Sequence, residues 1–215
     1  MQYSPALVAP VVLTLTTALV FYFGRQRFGN KTGYLTGFLF YWLCWCLWLP
    51  FVEMNHDYIL ALLRPVAPAE NKYGWLDFLC LFIPLLFAYA YAFPKALKNA
   101  TTKIILVSIL LSIVNASLEE ILWRGLYYQW LGSSPIQYIL ISSVGFSIWH
   151  LSPQIIFPNS APGGRLSFLA FAFVLGILFS IVVSNTGSIF AVIICHILFD
   201  FSGLGARIYF SNKPN

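Results

Sequence analysis

The stretch at 104–129, IILVSILLSIVNASLEEILWRGLYYQ, places three charged side chains inside a long apolar run. About 20 apolar residues in a helix cross the hydrocarbon core of a bilayer, and this run is long enough to do so. Each charge near mid-membrane costs about 2.5–3.5 kcal/mol on insertion scales. The stretch therefore predicts a membrane helix in which Glu119, Glu120 and Arg124 are held by other polar groups rather than by lipid.

The composition of the whole chain extends this prediction to the entire molecule. Of its 215 residues, 60% are hydrophobic and 9% are charged, and the mean hydropathy is +0.80. These values lie far from those of soluble domains. Apolar runs predict seven helices, at 5–24, 32–52, 75–94, 104–129, 136–157, 166–185 and 188–209. We expect an all-α polytopic membrane protein with an intramembrane polar cavity, forming a single domain over 1–215.

The basic residues alternate between the connections of these predicted helices. Those expected on one side of the membrane are Arg25, Arg27, Lys31, Lys95, Lys98, Lys103, Arg165, Arg207 and Lys213, whereas Arg64 and Lys72 fall on the other side. The positive-inside rule then predicts an outside N-terminus and a cytoplasmic C-terminus. The net charge of +5 is explained by this topology and by acidic lipid headgroups. No nucleic-acid partner is expected.

The acidic residues fall into two groups. Four of the seven lie in or near the predicted outside loop between the second and third helices: Glu53, Asp57, Glu70 and Asp77. The other three are Glu119, Glu120 and Asp200, within predicted spans. Positions i and i+4 share a helix face, which predicts an ion pair between Glu120 and Arg124. Glu119 points about 100° away from that pair and has no charged partner on its own helix.

Two further motifs repeat the i, i+4 spacing on other helices. They are FSIWH, with Phe146 and His150, and HILFD, with His196 and Asp200. Taken alone, each is as consistent with a buried structural pair as with a reactive site. If every span is centred in the bilayer, the two histidines, Asp200 and Glu119 lie within about two helical turns of the midplane. One polar cavity could then hold all four.

Hydrolysis is the chemistry that such a cavity favours. A carboxylate helped by an imidazole can take a proton from water, and a second imidazole with a carboxyl group behind it can stabilise an oxyanion. The chain lacks the Gly-x-Ser-x-Gly frame of serine hydrolases and the His-Glu-x-x-His motif of zinc proteases. Its four cysteines, Cys44, Cys46, Cys80 and Cys195, lack zinc or redox spacing and are predicted to pack as small apolar residues. Water activated by Glu119 is the favoured reaction.

These three motifs, in this order on separate helices across about 104–209, resemble a known family. It comprises the CAAX proteases and bacteriocin-processing enzymes, the CPBP or Abi family of intramembrane glutamic endopeptidases. The resemblance implies that Glu119 activates water with help from His150. It also implies that His196 and residue 200 stabilise the oxyanion.

The resemblance further assigns a supporting role to Glu120, Arg124 and Phe146, and it departs from this sequence at one position. Residue 200 is usually Asn in the prenyl-protein endopeptidases, whereas here it is Asp200. A carboxyl group donates a hydrogen bond only when it is protonated. This departure makes a prenylated protein a less expected substrate, and positioning His196 is an equally suitable role for Asp200.

The sequence therefore predicts an endopeptidase that cleaves a membrane-tethered protein or peptide in a prokaryotic plasma membrane, with no metal and no cofactor. Two alternatives remain open. One is a zinc protease in which His150, His196 and a carboxylate hold the metal. The other is a non-enzymatic immunity or scaffold protein, or a small transporter, although the chain has no inverted repeat of the kind that transporters show.

Overall fold

The computed structural model describes residues 4–66, 74–98, 100–159 and 163–210, and this part of the chain is helical with no β-strand. The helices are α1, Ser4–Phe40, continuing as Tyr41–Trp48 and Leu49–Glu53; α2, His56–Leu62; α3, Gly74–Phe87, continuing as Ala88–Ala92 and Phe93–Leu97; α4, Thr102–Glu120, continuing as Ile121–Leu126 and Tyr127–Leu131; α5, Pro135–Trp149; α6, Gly164–Thr186; α7, Phe190–Ser202; and α8, Arg207–Phe210. The first continuation of each of α1, α3 and α4 is a π-helical segment.

Helix α1 folds back on itself near its middle. Gly29 has φ +78°, a left-handed conformation that glycine adopts without strain. Beyond it, a Cβ on Gly33 would collide with the backbone of Arg25. The Phe21 ring also meets Tyr34 and Phe38, with centroids 5.8 and 5.6 Å apart. The two arms of α1 therefore pack side by side in opposite directions, and they correspond to the predicted helices at 5–24 and 32–52.

Five stretches of the described chain are long and apolar enough to cross a membrane: Pro5–Glu53, Gly74–Leu97, Thr102–Leu131, Gly164–Thr186 and Phe190–Phe210. The prediction of an all-α membrane protein is confirmed. The predicted number of seven membrane helices is not confirmed. Both arms of α1 lie within one of these stretches, and α5 has only 15 residues. The exact number of crossings stays a prediction.

Helix α5 is shorter than the sequence predicted. We expected a span over 136–157, but α5 ends at Trp149 and is followed by a 3₁₀ turn, Pro153–Ile155. The reason is Pro153, which has no backbone N–H to donate to the carbonyl four residues earlier. His150 therefore caps the end of α5, and the predicted span over 136–157 is wrong at its C-terminal end.

Small residues bring α5 and α6 close together at the centre of the molecule. Gly176 lies against Ser143, and the hydroxyls of Ser142 and Ser180 are 3.0 Å apart. Close packing through small residues and hydroxyl contacts is typical of helices in membranes. This packing fixes α5, which carries Phe146 and ends before His150, against α6.

The acidic residues predicted near the outside loop are not all exposed. Glu53 and Asp57 are exposed, whereas Asp77 is only 4% exposed and accepts a hydrogen bond of 2.7 Å from the Asn185 side chain. The amide of Asn185 offsets part of the cost of burying that carboxylate. The remaining prediction for this loop, Glu70, lies outside the described residues, as do Lys72 and Lys213.

Candidate active site

The predicted ion pair on α4 is present and completely buried. Nη1 of Arg124 lies 3.1 Å from Oε1 of Glu120, and neither side chain is exposed. The guanidinium lies over the Phe146 ring, 4.3 Å from its centroid, and 5.4 Å from the centroid of the Phe179 ring. Aromatic faces stabilise a cation. Phe146 therefore contributes directly to holding Arg124 in the protein interior.

Glu120 has a second partner that the sequence did not indicate. Nδ1 of His196 lies 2.6 Å from Oε1 of Glu120. A carboxylate oxygen only accepts, so Nδ1 carries the hydrogen of this bond. The other ring nitrogen, Nε2, then faces two more carboxylates, 3.7 Å from Oε2 of Glu119 and 3.5 Å from Oδ1 of Asp200. His196 thus connects the ion pair to the remaining acidic residues.

Glu119 is held by uncharged donors. The indole N–H of Trp149 donates to Oε1 over 3.1 Å, and the amide of Asn115 donates to Oε2 over 3.3 Å. The Trp149 ring is itself fixed by stacking on Tyr41, with centroids 3.6 Å apart. Because Glu119 is only 1% exposed, these donors replace the water that a carboxylate would otherwise bind.

Asn115 joins Glu119 to Asp200 and was not selected as a site residue from the sequence. Its amide also donates to Oδ2 of Asp200 over 2.9 Å, and its carbonyl oxygen accepts from the indole of Trp42 over 2.9 Å. The available signal was the spacing of Asn115 four residues before Glu119, which puts both on one helix face. The Asp200 side chain is 27% exposed and is the most accessible of the three acidic groups in the spans.

His150 does not contact these acidic groups directly. Its Nδ1 lies 2.6 Å from the carbonyl oxygen of Phe146. A carbonyl oxygen only accepts, so Nδ1 carries the hydrogen and Nε2 is left as a proton acceptor. Among the described residues, His150 has no hydrogen bond to an acidic side chain. The structure brings Glu119, His196 and Asp200 together and places His150 to one side of them.

Two adjoining cavities lie beside these residues. One, of about 310 Å³, is lined by Asn115 and Asp200, and the other, of about 340 Å³, is lined by His150 and Gln154. Glu119 and His196 lie behind the cavity walls. The walls common to both cavities are Tyr34, Phe38, Phe168 and Ile208. Because the two cavities share these walls, one continuous polar space for Glu119, His150, His196 and Asp200 stays a prediction.

The described residues contain no group of three His, Cys, Asp or Glu side chains that could hold a metal ion. The geometry therefore lends no support to zinc held by His150, His196 and a carboxylate. The four cysteines are unpaired. Cys46 and Cys195 are buried, in keeping with a packing role.

Residues 101–202 match the sequence model of a family described as type II CAAX prenyl endopeptidase Rce1-like. No curated protein and no solved structure matches the sequence. The matched region contains all three motifs, from Glu119 to Asp200, and it agrees with the resemblance inferred from them. Over residues 101–202 the chain is therefore similar to the Rce1-like family of CAAX prenyl endopeptidases.

Proposed function

We propose that this protein is an intramembrane glutamic endopeptidase that hydrolyses a peptide bond of a membrane-tethered protein or peptide. The observation that carries the proposal is the convergence of Glu119, His196 and Asp200, with Nε2 of His196 3.7 and 3.5 Å from the two carboxylates. Buried ionisable groups that meet beside a cavity are the usual mark of a reaction site within a membrane.

In the proposed reaction, Glu119 is the general base. Its carboxylate takes a proton from a water molecule as the water oxygen forms a bond to the carbonyl carbon of the substrate. The proton then passes to the amide nitrogen, the carbon–nitrogen bond breaks, and a carboxylic acid and an amine are released. His150 assists through Nε2, which is free to accept a proton. In the complex, the substrate and the water molecule extend from the cavity of Asp200 into the cavity of His150. Catalytic contacts are often long without substrate and shorten in the complex.

His196 is the proposed donor to the oxyanion in its imidazolium form, in which Nδ1 and Nε2 both carry a hydrogen. The hydrogen bond from its Nδ1 to Glu120 fixes the ring, and Arg124 fixes Glu120 in turn. A fixed donor aimed at the developing negative charge stabilises the transition state more than the ground state. In this scheme Asp200 accepts rather than donates, and it orients Nε2 of His196 at a distance of 3.5 Å.

The proposed substrate carries a membrane anchor. The cavity that exposes Asp200 is walled chiefly by aromatic and aliphatic side chains, including Trp42 and Leu111, which suit an apolar peptide segment. The family is named for CAAX prenyl substrates. For this chain the substrate class extends to leader peptides, peptide precursors and sorting helices. The proposed location is a prokaryotic plasma membrane, with the basic connections in the cytoplasm.

The test uses the full chain purified into lipid nanodiscs and three probes that share one peptide sequence. One is farnesylated and ends in a CAAX motif, one is N-myristoylated, and one has no lipid. Mass spectrometry reads the cleavage products, and Glu119→Gln is the matched control. Cleavage of a lipidated probe by the wild type but not by Glu119→Gln supports the proposal. Absence of cleavage of all three, or equal cleavage by Glu119→Gln, contradicts it.

A further inference from the structure

The wall between the two cavities carries a phenol that the family motifs do not include. Tyr34 lies on the second arm of α1, outside the matched region of residues 101–202. Its side chain lines both the cavity of Asp200 and the cavity of His150. A substrate that joins Asp200 to His150 would therefore pass Tyr34.

The ring of Tyr34 is held while its hydroxyl is left free. Its centroid lies 4.9 Å from that of Phe38, 5.1 Å from Phe157 and 6.3 Å from Tyr209. These contacts on several sides restrict the ring. The hydroxyl has no hydrogen-bond partner among the described residues, and the Tyr34 side chain lines the same cavity as Asp200. It is a positioned donor next to the reacting groups.

The acidic cluster itself is short of donors that could reach a substrate. Both oxygens of Asp200 face donors, since Oδ2 accepts from Asn115 and Oδ1 faces His196. An ionised carboxylate has no hydrogen to donate. The amide of Asn115 is occupied by Glu119 and Asp200. Of Asn115, Glu119, His196 and Asp200, only His196 in its imidazolium form then has a hydrogen, on Nε2, that can turn toward the reacting carbonyl group.

We propose that the Tyr34 hydroxyl supplies the second donor, giving a hydrogen bond to the carbonyl oxygen of the scissile peptide bond as that oxygen becomes negative. This inference rests on the proposed endopeptidase function. In this role Tyr34 forms no covalent bond and gives up no proton, because its O–H only stabilises the oxyanion while water adds to the carbonyl carbon. The donor belongs to the aromatic wall and not to the three motifs.

The experiment compares Tyr34→Phe with the wild type on the lipidated probe that the wild type cleaves best. The substitution removes one hydroxyl that has no hydrogen-bond partner among the described residues. The thermal unfolding temperature is therefore expected to stay unchanged. We expect kcat to fall by roughly 10², the usual effect of losing one oxyanion donor, while KM changes by less than about threefold. The matched control is Tyr22→Phe, which removes an exposed phenol from the other arm of α1 and should keep full kcat.

The outcomes test the role of Tyr34 and the proposed function separately. A wild-type kcat in Tyr34→Phe, with Glu119→Gln inactive, overturns the role of Tyr34 and leaves the proposed function standing. A raised KM with unchanged kcat overturns it as well, because it indicates binding of the ground state alone. If the wild type cleaves none of the probes, the proposed function fails, and the role of Tyr34 fails with it.

Discussion

Asn115 shows how one uncharged side chain can organise two carboxylates. Its single amide group donates to Glu119 over 3.3 Å and to Asp200 over 2.9 Å. Without it, only His196 would stand between the two acidic side chains, and like charges at short range disfavour joint ionisation. Asn115 is therefore a positioning residue for the proposed general base.

A swap of functional groups tests this role. Asn115→Asp places a third carboxylate against Glu119 and Asp200, and we expect kcat to fall roughly 10²-fold because the general base is no longer correctly held. The double variant Asn115→Asp with Asp200→Asn restores one amide and one carboxylate at the same contact. It should recover activity relative to the single variant in the probe assay. A double variant no better than Asn115→Asp contradicts the positioning role.

The two adjacent glutamates are expected to differ in what they contribute to stability. Arg124→Ala leaves Glu120 buried without its cation and should reduce the free energy of unfolding by about 3–5 kcal/mol. Glu119→Gln keeps one carbonyl oxygen, which accepts from Trp149 or from Asn115 but not from both, so it should cost about 1–3 kcal/mol, less than Arg124→Ala, and abolish cleavage. Unfolding in mixed detergent micelles measures both changes. Equal losses in the two variants would mean that the roles of Glu119 and Glu120 are assigned wrongly.

At the scale of the helices, the local sequence predicted where each helix lies along the chain. It did not predict the contacts between helices. Apolar run length placed α4 and α6 within about two residues of their observed ends. The spacing of four residues correctly paired Glu120 with Arg124. The indole of Trp149 on Glu119 and the phenol of Tyr34 gave no such signal, because aromatic residues are common in membrane helices and their partners lie on other helices. The early end of α5 at Trp149 was missed because Pro153 outweighed the apolar pattern.

The fold-back of α1 provides a test at this scale because it presents Tyr34 to both cavities. Gly33→Leu introduces a side chain where even a Cβ meets the backbone of Arg25, so the two arms must separate. We expect a large drop in the unfolding temperature together with lost activity. Gly29→Ala is the matched control, since a Cβ there meets open space and adds only backbone strain of about 1–3 kcal/mol. If both variants lose the same stability, close packing of the arms does not contribute.

For the whole molecule, we expect activity to be independent of metal, since Glu119 and His196 supply the base and the oxyanion donor. EDTA or phenanthroline should leave the purified enzyme active on the probe peptides. Metal analysis should find far less than one zinc per chain. Stoichiometric zinc that is lost together with activity in both His150→Ala and His196→Ala would instead establish the metalloprotease alternative.

The orientation of the molecule is a separate prediction. Cysteine substitutions at Lys31 and Lys98, in a variant lacking the four native cysteines, should be labelled by a membrane-impermeant reagent only after cells are opened, because the positive-inside rule places both positions in the cytoplasm. Asp57→Cys, in the exposed α2, should be labelled in intact cells. Labelling of Lys31→Cys or Lys98→Cys from outside would reverse the topology.

If α5 is one of the crossing helices, its length affects the lipid around it. Its 15 residues extend over about 22 Å, roughly 8 Å less than the hydrocarbon thickness of a typical bilayer. Such a hydrophobic mismatch is relieved when lipid thins locally around a short helix. The non-helical backbone after Trp149 then lies at a depth where it must line a cavity to stay hydrated, as Gln154 and His150 do. A peptide anchored in the headgroup region would meet the proposed site near this depression in the bilayer, without being drawn to its centre.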